Sequence, residues 1–129
     1  ANSSIAQRAA YTAITSSDEE SRKMAAAYKE RRSLVYDLLS EIPGLEVNMP
    51  GGAFYFFPNV SSFFGKSYNG NTIKDAQDLC MYLLEEARVS LVTGDAFGDP
   101  ECIRLSYAAS VEELKEAIAQ IKSALAKLS

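Results

Sequence analysis

The chain predicts an α+β domain, a small antiparallel or mixed sheet of three to four strands covered by helices. Three observations carry this. The patterns run helix, helix, strand, strand, helix, strand, strand, helix, so strands come in pairs rather than alternating singly with helices. Cys102 to Tyr107 alternates in polarity with period two, as a half-buried strand does. Val111, Leu114, Ile118, Ile121, Leu125 and Leu128 fall at helical spacing and form one apolar stripe that needs a sheet or helix to cover it.

Each element has its own signals. Ser4 and Gln7 make a capping-box pattern, and Ile5, Ala6, Ala9, Ala10, Ala13 and Ile14 follow as a short apolar face. Thr15 to Asp18 interrupts that helix. Ser17 with Glu20 opens a second one, carrying Met24, Tyr28, Val35, Leu38, Leu39 and Ile42 and stopping at Pro43-Gly44. Its Lys29, Glu30, Arg31 and Arg32 read as a solvated face, and Asp18-Glu19-Glu20 as charge complementing the helix dipole. Its length suits a strut between two lobes.

Leu45 to Asn48 reads as a short strand, Met49 to Gly52 as a turn, and Ala53 to Phe57 as a second strand ended by Pro58. Residues 59–71 read as a loop with scattered aromatics. Thr72 reads as the cap of a helix with Ile73, Ala76, Cys80, Leu83, Leu84 and Ala87 on one side. Val89 to Thr93 is a strand, Gly94 to Pro100 a loop, Cys102 to Tyr107 the last strand, and Ser110 with Glu113 caps the closing helix.

Composition narrows the function. At 129 residues the chain can bury roughly two thirds of its extended surface as one domain. A 47% hydrophobic and 23% charged composition is that of a folded soluble protein. A net charge of -4 argues against nucleic acid, whose phosphates need clustered Lys and Arg. No apolar run reaches the length of a membrane span and no leader-like segment precedes the first helix, so no membrane contact is expected; the cytoplasmic location expected for the chain comes from its cysteines. Cys80 and Cys102 lack metal-ligand spacing and read as reduced core thiols. The chain has no histidine, which excludes serine-triad or zinc chemistry carried by this chain alone. It opens at Ala1-Asn2-Ser3-Ser4 without Met, and is read as a segment of a longer polypeptide.

Arg104 is the residue with most to say about chemistry. Alternation sets Cys102, Arg104 and Ser106 on one face and Ile103, Leu105 and Tyr107 on the core face. A guanidinium is always charged and its planar fork matches a carboxylate at two points. The plain alternative is an exposed strand arginine paired with Glu101 or Asp99.

Three motifs occur in fixed order: Pro50-Gly51-Gly52-Ala53-Phe54-Tyr55-Phe56, then Gly94-Asp95-Ala96-Phe97-Gly98, then Ile103-Arg104-Leu105-Ser106-Tyr107-Ala108. Together they resemble the small-domain signature of class I pyridoxal-phosphate aminotransferases, the family of aspartate aminotransferases. Ser3-Ser4-Ile5-Ala6-Gln7 is similar to the stretch following that family's cofactor-lysine region, so the resemblance covers essentially the whole chain. It implies the fold of the small, C-terminal domain of a fold-type I transferase. Residues 18–129 would form that domain, and residues 1–17 a helix belonging to or contacting a large domain, with a hinge near Thr15 to Asp18. It implies amino-group transfer between an amino acid, aspartate or glutamate, and a 2-oxo acid, with Arg104 binding the substrate α-carboxylate and Phe54 and Gly52 at the pocket. Gly51 and the loop of Phe97 and Gly98 would flank the cleft, and Asn2 or Ser3 would approach a neighbouring active site in a homodimer. Pyridoxal 5'-phosphate is implied as the cofactor of the whole enzyme. The lysine forming its Schiff base, the aspartate for its pyridine nitrogen and its phosphate ligands match nothing here. No catalytic or cofactor-binding residue is therefore expected in this chain, which alone should be inactive. From the residues themselves, a stand-alone carboxylate-binding module, or an interaction domain docking through Ile5, Ala9 and Ala13, stays open.

Overall fold

The structure is a computed structural model that describes residues 2–129. Helix α1 spans Ser4–Thr15 and α2 Glu19–Ser40; after them come β1 (Tyr55–Phe56), the hairpin β2 (Ser67–Tyr68) and β3 (Asn71–Thr72), and α3 (Ala76–Ala87). Strands β4 (Val92–Thr93) and β5 (Ile103–Ser106) precede α4 (Val111–Leu125). Three strands form an antiparallel sheet in the order β1-β5-β4, with Tyr55 opposite Ser106 and Val92 opposite Arg104. This is the expected α+β architecture, with the longest strand in the centre of the sheet.

The core lies between the inner sheet face and the helices α2, α3 and α4. Phe56, Ile103, Leu105 and Tyr107 meet Val35 and Leu39 of α2, Leu79 and Leu83 of α3, and Leu114, Ile118, Ile121 and Leu125 of α4, all of them buried. At roughly 1.5–3 kcal/mol for each large apolar side chain removed from water, this layer holds the domain together. The Tyr82 hydroxyl donates to the Ala124 carbonyl at 2.8 Å, satisfying its polar end where α3 crosses α4.

Several boundaries move, each for a local reason. The cap of α1 is Ser3, whose hydroxyl accepts from the Ala6 N–H, while Gln7 donates its side-chain amide to the Asn2 carbonyl. The cap of α2 is Asp18, but its carboxylate is taken by Arg22 at 2.8 Å and caps no backbone N–H. The cap of α3 is Asp75, which accepts from the Asp78 N–H, so Thr72 lies in β3 and caps nothing. Only Glu46 of the expected first strand pairs, bridging Asn59. Residues 59–71, expected to be a loop, contain one short turn of 3-10 helix at Ser61–Phe63 and strand β2. The hairpin turns at Asn69 and Gly70, both with positive φ, the conformation an Asn-Gly pair favours. The capping box of Ser110 and Glu113 is present as expected, and it holds the Glu113 carboxyl below its ordinary value, chiefly through the Ser110 hydroxyl.

No residue of α1 is buried; Ile5 is 82% and Ile14 83% exposed. Met24, expected on the apolar stripe of α2, is also exposed, because that helix meets the core only from Tyr28 onward.

Candidate functional site

Strand β5 carries the alternation that places Arg104. Ile103 and Leu105 are buried beneath the sheet, Arg104 is half-buried on the outer face, and Ser106 is exposed. Cys102 departs from the expected pattern. It is buried although it shares the parity of Arg104, because the loop after β4 folds back over it. Burial, with Asp99 beside it, pushes its thiol up to about 11; burial does the same for Cys80 inside α3.

The Arg104 guanidinium lies over the ring of Phe97 at 4.4 Å and over that of Tyr55 at 5.5 Å. Phe57 packs edge-on against Phe97, completing an aromatic surround. No carboxylate is within ion-pair distance of Arg104 among the described residues. Of the three acids in the neighbouring loop, Asp99 accepts from the Glu101 N–H, Glu101 accepts from the Asn59 amide, and Asp95 makes no ion pair with Arg104. A ring beneath a guanidinium uses its face, while the N–H donors lie in its plane. The edge of the fork is therefore unspent, which is the arrangement for meeting a carboxylate from outside the chain.

Phe97 is brought to Arg104 by a tightly closed loop. Gly94 donates to the Cys102 carbonyl at 2.8 Å, and its own carbonyl accepts from Phe97 at 2.8 Å and Asp99 at 3.2 Å. A side chain at Gly94 would collide with the Asp99 and Cys102 carbonyl oxygens, whereas Gly98 is needed for its φ of +90°.

Phe54 and Gly52 lie elsewhere. With Gly51, Ala53, Tyr28, Lys29, Arg32 and Tyr107 they line a cavity of about 500 Å³ between α2 and the turn before β1, and Arg104 is not among the lining residues. Phe54 is 54% exposed and packs edge-on against Tyr55, which links the cavity to the guanidinium. Neither Gly51 nor Gly52 has a left-handed backbone or a close neighbour; the positive φ of the turn falls on Ala53, at 61°. The Tyr107 hydroxyl donates to the Ala53 carbonyl at 2.8 Å and the Tyr107 N–H to that of Phe54 at 2.9 Å, which holds this strained residue in place.

Arg32 was read as part of a solvated face, and that is corrected. It is half-buried, its Nη1 donates to the Pro50 carbonyl at 3.0 Å, and its Nε is buried without an acceptor among the described residues. The signal was present: Tyr28, Arg32, Val35 and Leu39 are spaced four, three and four apart, which puts the arginine on the buried stripe.

Among the described residues no lysine is placed to hold a carbonyl cofactor. None of the seven lysines is buried. Lys23 is held above its usual value by Glu19 and then Glu20, and Lys127 by Glu86, the opposite of what an activated amine needs. The lysines present do not fit pyridoxal phosphate, and no acidic or thiol cluster suited to a metal occurs among the described residues. No helix among them is long and apolar enough to cross a membrane.

Comparison with known proteins gives the family. The family described as "Aminotransferase class I and II" matches residues 1–121. The chain is 43% identical over 127 residues to the bifunctional aspartate aminotransferase and glutamate/aspartate-prephenate aminotransferase of Petunia hybrida, covering 95% of this chain and 26% of that protein. It superposes on the crystal structure of the aspartate aminotransferase from Rhizobium meliloti with a TM-score of 0.93 at 41% identity, covering 98% of this chain and 32% of that one. With the alanine aminotransferase of Pyrococcus furiosus the TM-score is 0.81 at 28% identity, over 94% of this chain and 29% of that one. The chain thus spans about a quarter to a third of the length of the proteins it matches, and over that span it shares both their sequence and their fold. The chain belongs to the class I and II aminotransferase family.

Proposed function

We propose that this chain is the C-terminal small domain of an aspartate aminotransferase-like enzyme, and that Arg104 grips the α-carboxylate of the amino acid or 2-oxo acid being converted. The observation that carries the reading is a half-buried guanidinium held over Phe97 and Tyr55 with no carboxylate of its own. A half-buried arginine whose charge the protein leaves unanswered suits an anion supplied by the substrate.

The family is generally dependent on pyridoxal phosphate, which when bound stabilises negative charge at the substrate α-carbon. The cofactor is assigned to residues outside this chain, whose own part is orientation. Two parallel hydrogen bonds from Arg104 fix the direction of the α-carbon substituents, and the rings beside it exclude water from the grip. Phe54 and Gly52 are assigned a flanking wall continued from Tyr55. Residues 18–129 form the small domain, and residues 1–17 pack against a large domain; the fully exposed Ile5 and Ile14 support this. The complete enzyme is read as a homodimer acting on aspartate or glutamate and a 2-oxo acid, with Asn2 or Ser3 near a neighbouring active site.

The test is Arg104→Lys in the complete polypeptide. A two-point, charge-assisted grip is worth about 1.5–3 kcal/mol, so kcat/KM should fall roughly 10- to 150-fold with cofactor affinity unchanged. A lysine variant as active as the parent would end the carboxylate reading.

A further inference from the structure

We infer that Arg32 is a positioning residue for the Arg104 grip, pinning the Pro50–Ala53 turn to α2 so that Tyr55 is held against the guanidinium. The inference rests on the carboxylate reading of Arg104. Two pins hold the turn. At its start, Arg32 Nη1 donates to the Pro50 carbonyl at 3.0 Å. At its end, the Tyr107 hydroxyl donates to the Ala53 carbonyl at 2.8 Å, and the Tyr107 ring itself packs against Tyr28, one helical turn before Arg32, at 6.0 Å. Between them Ala53 holds a φ of 61°, a conformation an alanine keeps only where its surroundings impose it. Tyr55, two residues on, lies 5.5 Å from Arg104.

Stability alone is a poor reason for an arginine at this position. Its Nε–H is buried with no acceptor among the described residues, a loss that an apolar side chain on the same stripe would avoid. What an apolar residue cannot do is reach the turn and hold it. Arg32 therefore ties the place of α2 to the place of Tyr55, and through it to the substrate grip.

The experiment is a double-mutant cycle in the complete polypeptide. Arg32→Met, which keeps length and removes every donor, should lower kcat/KM about tenfold, the factor carried by one charge-donated hydrogen bond, mainly through KM. In an Arg104→Lys background the same change should cost less than about threefold, since a grip already lost cannot be mispositioned. Arg32→Lys, which retains a donor, should recover most of the loss, and amide exchange over residues 51–55 should quicken in Arg32→Met. An unchanged KM with only a lower melting temperature, an equal loss in both backgrounds, or a lysine variant as poor as the methionine one would each overturn the inference. Failure of the underlying reading looks different, for then Arg104→Lys is itself without effect.

Discussion

Replacing Gly94 by alanine tests how the site is built, since three glycines that look alike in sequence, Gly51, Gly94 and Gly98, meet different surroundings. The added Cβ meets the carbonyl oxygens of Asp99 and Cys102, both fixed backbone atoms. Relieving the clash means opening a loop in which Gly94 takes part in three backbone hydrogen bonds, to Cys102, Phe97 and Asp99. Overpacking costs about 1–3 kcal/mol and the loss of one of these hydrogen bonds about 1 kcal/mol, so a loss of about 2–4 kcal/mol is expected. That is a large share of the roughly 5–15 kcal/mol that stabilises a domain. Gly98→Ala meets no atom but must take a left-handed φ, costing about 1–2 kcal/mol. Gly51→Ala meets nothing and needs no unusual φ, so it should fall within about 0.5 kcal/mol of the parent. Urea unfolding followed by far-UV circular dichroism, with equal m-values, gives the order directly. A Gly51→Ala variant as destabilised as Gly94→Ala would refute the steric argument. Because the loop presents Phe97 to Arg104, Gly94→Ala in the complete polypeptide should also weaken substrate binding.

Two further outcomes follow from the chemistry of the side chains. Cys80 and Cys102 hold their protons up to about pH 11, above the ordinary thiol value of 9.0. Between those values the unfolded chain ionises first and the folded chain retains its protons, so stability should fall as pH rises from about 9 and level off above about 11. Denaturation midpoints across that range check the sign, and a native protein alkylated as fast as the denatured one at pH 8 would contradict the burial. The lysines offer a second check: with pyridoxal phosphate added to this chain alone, borohydride reduction and peptide mapping should fix no pyridoxyl group at any single lysine. A specific, stoichiometric modification would show that this chain holds more of the active site than its surface lysines indicate.

Much of the fold was legible because apolar periodicity reports directly on what a helix or strand must bury. The stripe from Leu114 to Leu128 and the alternation through Ile103, Leu105 and Tyr107 both appear in the core, while Val111 at the start of the stripe stays half-buried outside it. Boundaries were less legible, because capping turns on which nearby side chain wins a given N–H. Asp18 is claimed by Arg22, leaving the Ser17 hydroxyl to accept from the Glu19 N–H at the start of α2, and Asp75 rather than Thr72 starts α3. The hairpin at residues 67–72 carried an Asn-Gly signal, yet its strands are two residues each, too short for alternation to register.

The candidate site divides in the same way. That residue 104 is a permanently charged fork on the outer face of a strand was determined by the sequence, through residue type and parity. That the fork rests on Phe97 and Tyr55, that Asp99 and Glu101 turn away from it, and that Phe54 and Gly52 stand with Arg32 in a separate cavity were decided by the tertiary structure alone. Parity is local, set by the pleat of a single strand. The partners of a side chain depend on how distant segments close around it, and here they come from helix α2, strand β1 with the turn before it, and the loop between β4 and β5, which only the folded backbone brings together.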